Sequence, residues 1–275
     1  MKKIIVPTDF SKTADNALEY ALLFASHHGI EVIIHHAFET SYSHPSIPVK
    51  SYPMANDEVR TRLKELQLSI QSDPRFSSLL LQTHAMLGGF VDTLSELVKK
   101  THADMVVMGT KGAGPVKGTL LGSNAVDVIN HLSLPTLIIP KEAKFKPIDK
   151  IMFATDHHMM KKPDALIPLK EVAKMFHAEV TLVNVRDRHQ KTTLVELHEH
   201  DRESTWLGED IPHSSEAVLD DDVLHGLQTY IENHQELSMI AMVARQHNIV
   251  ERMWNGGNTR RMAFYSTIPL LALHE

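Results

Sequence analysis

The chain alternates short runs that are apolar throughout with longer stretches whose apolar residues recur every three or four positions. Residues 3–7, built on Ile4, Ile5 and Val6, form the first run and predict a buried strand. Over 11–28, Ala14, Ala17, Leu18, Ala21, Leu22 and Ala25 fall at helical spacing, with Ser11 placed to cap the helix and Gly29 to end it. The same reading predicts a strand over 31–38, a proline- and serine-rich loop over 40–53 and an amphipathic helix over 56–72. A strand over 79–85, a helix over 90–101 and a strand over 104–108 come next. A glycine-rich loop, a helix over 123–131 and a fifth strand over 135–140 complete the series. Wholly apolar strands separated by helices predict a parallel sheet covered on both faces. In such a sheet the crossovers are right-handed, and ligands bind at the C-terminal strand ends where the strand order reverses.

A short stretch, 141–147, resembles a linker, and after it the pattern restarts. Residues 149–156 echo 2–9, 179–185 echo 31–37, 237–243 echo 103–109 and 266–272 echo 133–139, in the same order. The expectation is a duplicated domain, 1–142 and 148–275, with the boundary near 145. Each copy is expected to be a five-stranded, doubly wound α/β unit of the flavodoxin or Rossmann-like kind. A length of 275 residues suits two units of about 140 residues better than one.

Composition removes some chemistry. There is no cysteine, so disulfides, thiolate metal sites and cysteine nucleophiles are excluded. A formal net charge of -6 offers no basic surplus for nucleic acid or an anionic membrane. No apolar stretch approaches the ~18 residues of a membrane helix, and Met1 to Val6 lacks a signal-peptide layout; a cytoplasmic protein is the expectation.

The chemistry concentrates between the fourth strand and the helix at 123. Gly109, Gly112, Gly114, Gly118 and Gly122 are five of the chain's twelve glycines. A backbone wrapping a phosphate must turn sharply and present N–H groups inward, which glycine permits. Gly122, Ser123 and Asn124 stand at the predicted helix start, where free N–H groups and the helix dipole favour an anion, and Lys111 and Lys117 add charge nearby. The spacing is neither the P-loop pattern, with Gly-Lys-Ser/Thr directly before the helix, nor a dinucleotide fingerprint, which follows the first strand.

The pattern Gly109-x-x-Gly112, nine residues, then Gly122-Ser123 resembles the ATP-binding signature of the universal stress protein family. The opening Ile4 to Ser11, the strand end His36-Ala37 and the closing 133–139 resemble it as well. The resemblance is good over 1–140 and weaker over 149–275. It implies an adenine nucleotide, ATP with or without Mg2+, held in the first domain. By position it implies Asp9 near ribose and phosphates, with Pro7 and Thr8 beside it, and the backbone of Ala37 at adenine. Met108 and Gly109 would line the nucleotide, and Gly112, Gly122, Ser123 and Asn124 would cradle phosphate. Asp9 also has a plainer reading as a cap for the helix near Ser11, compatible with the first.

With Pro269 set against Pro135, Val243 falls opposite Gly109 and Gln246 opposite Gly112, while Gly256 survives opposite Gly122 and Gly257 replaces Ser123. Side chains where backbone must approach phosphate predict that the second domain binds ATP poorly or not at all. A small anion near 255–258, with Arg245, Arg252 or Arg260, is the alternative to a purely structural copy. Asp156 with His157 and His158, and the run His198-Glu199-His200-Asp201, have metal-capable side chains, but neighbours along a strand or helix point apart and no metal site is assigned. His35 and His36 alternate across their strand, so one is expected to pack against the inner layer. Asp220, Asp221 and Asp222 read as capping of a helix over 223–234.

The reading that follows is a nucleotide-binding stress-response module. Its rivals are a slow ATPase or autophosphorylating enzyme, with Asp9 on Mg2+ and Ser123 or Thr110 as acceptor, and a binding module for a non-nucleotide ligand in the second domain. No general base is visible and no catalytic residue is assigned. The edge strands 134–140 and 268–273 are expected to pair as an internal pseudo-dimer, since an open edge invites association, including with a second copy of the chain.

Overall fold

The structure, a computed structural model, describes residues 1–39, 52–110, 122–155, 163–187, 205–244 and 267–274. In chain order the first half carries β1 (Lys3–Pro7), α1 (Lys12–Ser26), β2 (Glu31–Phe38), α2 (Tyr52–Ser72), β3 (Leu81–Leu87), α3 (Phe90–Thr101), β4 (Met105–Gly109), α4 (Ser123–His131) and β5 (Thr136–Ile139). The second half carries β6 (Lys150–Thr155), a 3-10 turn (Pro163–Leu166), α5 (Ile167–Phe176), β7 (Glu179–Arg186), β8 (His213–Leu219), α6 (Val223–Asn233), β9 (Met239–Val243) and β10 (Leu270–Leu273).

The strands form one sheet in the order β3-β2-β1-β4-β5-β10-β9-β6-β7-β8. Neighbours are parallel except β5 and β10, which run antiparallel. Each half thus counts 3-2-1-4-5 from its outer edge to the seam, and the winding direction reverses beside its first strand. This is the doubly wound, mostly parallel α/β architecture the alternating pattern predicts.

Strand alternation divides the core between the two faces. Ile4, Val6, Val32, Ile34, Met105 and Val107 pack on one face with Ala17, Ala21 and Phe24 of α1 and Leu63 of α2. Ile5, Ile33, Val106 and Ile138 pack on the other with Leu94 and Leu97 of α3 and Val128 of α4. Burying one such large side chain fully is worth about 1.5–3 kcal/mol. The second half repeats the division: Ile151 and Phe153 lie with α5, Met152 and Ile240 with α6.

At the seam Leu270 pairs with Ile138, Leu271 with Leu137 and Ala272 with Thr136. Aligned on Pro135 and Pro269, Leu137 and Leu271 are equivalent positions of the repeat, and they face each other. The helices above the seam keep the same symmetry. His28 and Phe176, each three residues before the glutamate that opens β2 or β7, meet edge-on with ring centroids 4.5 Å apart. Phe24 meets Phe176 at 5.3 Å, and the N-terminal ammonium of Met1 pairs with Glu171 Oε1 at 3.0 Å.

Some boundaries differ from the sequence pattern. β3 begins at Leu81, two residues later than the apolar run, because Leu79 and Leu80 belong to the approach from α2. α2 begins at Tyr52, four residues before the predicted start, with Pro53 in its first turn, where the missing N–H costs nothing. The rest of the predicted loop, 40–51, lies outside the described residues. β8 has no counterpart in the sequence reading: His213–Leu219 is a largely exposed outer strand with little apolar signal.

Candidate functional site

The C-terminal ends of β1, β2 and β4 open into a cleft where the strand order reverses. Pro7, Thr8 and Asp9 form the β1 side, Ala37 the end of β2, and Met108, Gly109 and Thr110 the end of β4. Gly122, Asn124 and Ala125 close it at the start of α4, with Ala14 of α1 and Phe90 of α3 on its walls.

The turn from β1 into α1 is tightly tied. Thr8 N–H donates to the His35 carbonyl at 2.8 Å, Phe10 N–H to Thr8 Oγ1 at 3.0 Å and Ser11 N–H to Asp9 Oδ1 at 3.0 Å. Phe10 sits at φ +59, a region a non-glycine residue adopts only when its surroundings hold it there. The helix cap is Ser11, whose Oγ accepts from Ala14 N–H at 3.2 Å. Asp9 braces the turn ahead of that cap and is not itself the cap.

The β4 side is equally close. A Cβ on Gly109 would lie 2.8 Å from Thr13 Cγ2 and 3.0 Å from the Thr13 carbonyl, so glycine lets the first turn of α1 approach β4. The chain leaves the sheet at Thr110 and returns at Gly122, whose N–H donates to the Thr110 carbonyl at 2.6 Å. Gly122 is the N-cap of α4 and brings no side-chain bond. The positive dipole end of α4 therefore meets the cleft with no side-chain cap from Gly122 over it.

Behind the cleft, His35 is fully buried. Thr93 Oγ1 donates to the carbonyls of Gly89 and Phe90 and accepts from His35 Nε2 at 3.1 Å. The imidazole thus fastens the first turn of α3, which carries Phe90, to β2. Burial pushes the His35 pKa down to about 4, so the ring is neutral. His36 faces the opposite side, as strand alternation requires; its Nδ1 donates to the Thr8 carbonyl at 2.7 Å.

Of the ten positions singled out by sequence, the structure brings Pro7, Thr8, Asp9, Ala37, Met108, Gly109, Gly122 and Asn124 to this one cleft. Ser123 is the exposed first residue of α4 and does not line it. Gly112 lies outside the described residues. Ala14, Phe90 and Ala125 line the cleft without having been singled out as binding positions, and Thr110, named only as a phosphate acceptor in the enzyme alternative, lines it too. Thr110 and Ala125 adjoin named positions; Ala14 and Phe90 arrive from other helices, and only the topology places them.

The cleft has apolar walls for a flat ring and a helix N-terminus for an anion. Asp9 is the one ionisable side chain among the described lining residues. The second half keeps part of the frame: Asn184 Nδ2 donates to the Thr155 carbonyl at 3.3 Å, and Val243 ends β9 where Gly109 ends β4. The counterpart of the glycine loop, Gln246 to Gly257, lies outside the described residues, as do Asp156 to His158 and His198 to Asp201. Among the described residues no three His, Asp or Glu side chains group to hold a metal ion, and no helix is long and apolar enough to cross a membrane. Asp222 caps α6, accepting from Leu224 and His225 N–H at 2.8 and 3.1 Å, while Asp220 pairs with His225 at 2.6 Å.

Comparison with known proteins matches this arrangement. The model of the universal stress protein family matches residues 1–140. Universal stress protein G of Salmonella typhimurium is 28% identical over 144 residues, 50% of this chain and 98% of that protein. Universal stress protein MJ0531 of Methanocaldococcus jannaschii is 26% identical over 144 residues, 52% of this chain and 84% of that protein. The crystal structure of a universal stress protein from Archaeoglobus fulgidus aligns with a TM-score of 0.68 at 19% identity, covering 99% of this chain and 96% of that one. A likeness at that identity is one of fold, and it extends through both halves.

Proposed function

The chain belongs to the universal stress protein family, and on that premise we propose that its first half binds an adenine nucleotide, ATP with Mg2+, in the cleft between β1, β4 and α4. The observation that carries this reading is the neck of the glycine loop. Thr110 and Gly122 are clipped together beside an uncapped helix N-terminus, at the point where the strand order reverses. Phosphate belongs at that N-terminus, and the ring system belongs near Ala37 and Met108. Gly112 completes the proposed cradle from the loop, and Ser123, whose side chain is exposed at the first position of α4, is assigned to it through its backbone N–H.

The reading is of a regulatory binding module in the stress response, working in the cytoplasm. Among the described lining residues Asp9 is the one ionisable side chain, and it is engaged in bracing the turn by accepting from Ser11 N–H, which favours binding over efficient phosphoryl transfer. Repeated ATP turnover that disappears in Asp9→Ala would reverse this preference for binding over catalysis.

We assign residues 1–142 and 148–275 to two domains, the second without nucleotide, and regard the β5–β10 seam as an intramolecular pseudo-dimer interface. What supports this is the seam register, in which equivalent residues of the repeat meet.

Thermal unfolding with and without Mg-ATP tests the nucleotide assignment on the wild type and on Gly122→Val. Gly122 has φ -72, which valine adopts, so the variant blocks the approach of phosphate without demanding a new backbone. Ligand at a hundredfold excess over Kd stabilises the folded form by about 2.7 kcal/mol. The wild type is expected to melt higher with Mg-ATP and the variant to lose that rise. An unshifted wild type at millimolar Mg-ATP would refute the assignment.

A further inference from the structure

His36 does not line the cleft, yet beside the backbone bond from Thr8 to His35 its ring is the side chain from β2 that holds the turn on the cleft's β1 side. Strand alternation sends His35 toward α3 and leaves His36 on the face of α1 and α2. There its Nδ1–H reaches the Thr8 carbonyl at 2.7 Å, and the Phe10 ring packs on the imidazole with centroids 4.8 Å apart. Arg62 of α2 lays its guanidinium 4.0 Å over the Phe10 ring, so the stack is braced from the helix beyond. The Thr8–Asp9 peptide is planar and trans. Holding its carbonyl on His36 therefore fixes the whole unit, with the Asp9 N–H directed away from the imidazole. Thr8 and Asp9, both lining residues, are thus oriented by a side chain behind them, and Phe10 stays at φ +59 against the same ring.

The second half supplies an internal control. His36 and Asn184 each stand five residues after the glutamate that opens β2 or β7. Asn184 Nδ2 donates to the Thr155 carbonyl at 3.3 Å, and Thr155 echoes Thr8. The bridge between the two strand ends is retained with a different side chain, so what both positions share is an N–H donor of suitable reach.

We propose that His36 is a positioning residue for the nucleotide: through the Thr8 carbonyl and the Phe10 ring it presets the β1 side of the cleft, without touching the ligand. The inference rests on the nucleotide reading of the cleft and adds the residue that organises it. Preorganisation of this kind acts on affinity, because a turn already in its binding geometry need not be ordered by the ligand.

The test is calorimetric titration of the full chain with Mg-ATP, comparing wild type, His36→Ala and His36→Asn, with each variant's melting temperature measured in the absence of nucleotide. His36→Ala is expected to weaken binding about tenfold, the scale of one well-placed hydrogen bond. His36→Asn, which installs the donor of Asn184, is expected to recover to within about threefold of wild type. A merely structural role would track the melting temperature and not the donor. If His36→Ala does not fold, Phe10→Leu removes the ring contact and carries the test, with weakened binding again expected. Wild type that binds while His36→Ala or Phe10→Leu binds equally well overturns the His36 proposal alone, as does a folded His36→Asn that recovers nothing. Wild type without affinity for Mg-ATP overturns the nucleotide reading and this inference with it.

Discussion

The neutral, buried His35 makes a quantitative demand on the stability of the protein. Burial lowers its pKa from the ordinary 6.5 to about 4. The unfolded chain therefore binds this proton more tightly than the folded one, and the stability linked to it is complete above about pH 6.5 and lost as the pH falls toward 4. The whole difference is ~3 kcal/mol, of which ~2 kcal/mol disappears between pH 7 and pH 5. The perturbation is His35→Gln, which keeps an N–H donor for Thr93 Oγ1 and has no proton to gain. Urea unfolding at a series of pH values, in both proteins, reads the effect. His28, His84 and His274 are also held below their ordinary value, chiefly by burial. They are present in both proteins, so the difference between the two pH profiles reports His35, with a small addition from its coupling to His84. Wild type should lose ~2 kcal/mol more than the variant between pH 7 and pH 5. Parallel profiles would refute the assignment of a neutral buried imidazole at this position.

Gly109→Ala should lower stability by about 1–3 kcal/mol in chemical unfolding, because its Cβ would meet the Thr13 side chain and carbonyl at 2.8 and 3.0 Å. Asp222→Ala leaves Leu224 and His225 N–H without their acceptor and should cost about 0.5–2 kcal/mol, read in the same assay. At the seam, Leu271→Asp places a charge opposite Leu137 in a fully buried strand and should separate the halves, which small-angle scattering would report as a larger radius of gyration. A variant with the wild-type profile would contradict that role for β10.

Much of this fold is legible in the chain because its signals are local. The apolar runs of β1, β2 and β4 are buried on both faces, and the ends of α3 and α4 fall where periodicity and Gly122 place them. β8 is invisible to the same reasoning because an outer strand with exposed Ser214, Ser215 and Glu216 needs no apolar run; its partner β7 supplies the pairing. The glycines announce the β4–α4 side of the site, and Asp9 the β1 side. Phe90 and Ala14 are beyond sequence reasoning, since an aromatic or an alanine in a helix's first turn is ordinary core until the sheet order sets it beside a strand end. His35 and His36 show the limit clearly: alternation separates them, but only the structure shows one fastening α3 and the other fastening the turn after β1.

The antiparallel pairing of β5 with β10 also changes how the assembly responds to dilution. Two separate chains joined edge to edge come apart when their concentration falls below the dissociation constant. Here both strands are on one chain, so the local concentration of each around the other is set by the connecting residues and not by how much protein is present. The joined state should persist at the lowest concentrations a cell maintains. Cutting the chain after residue 142 would have the opposite consequence. It would leave the four buried residues of β5, three of them apolar, as an open, adhesive border, and the fragment would show the concentration-dependent behaviour of a molecule seeking a mate.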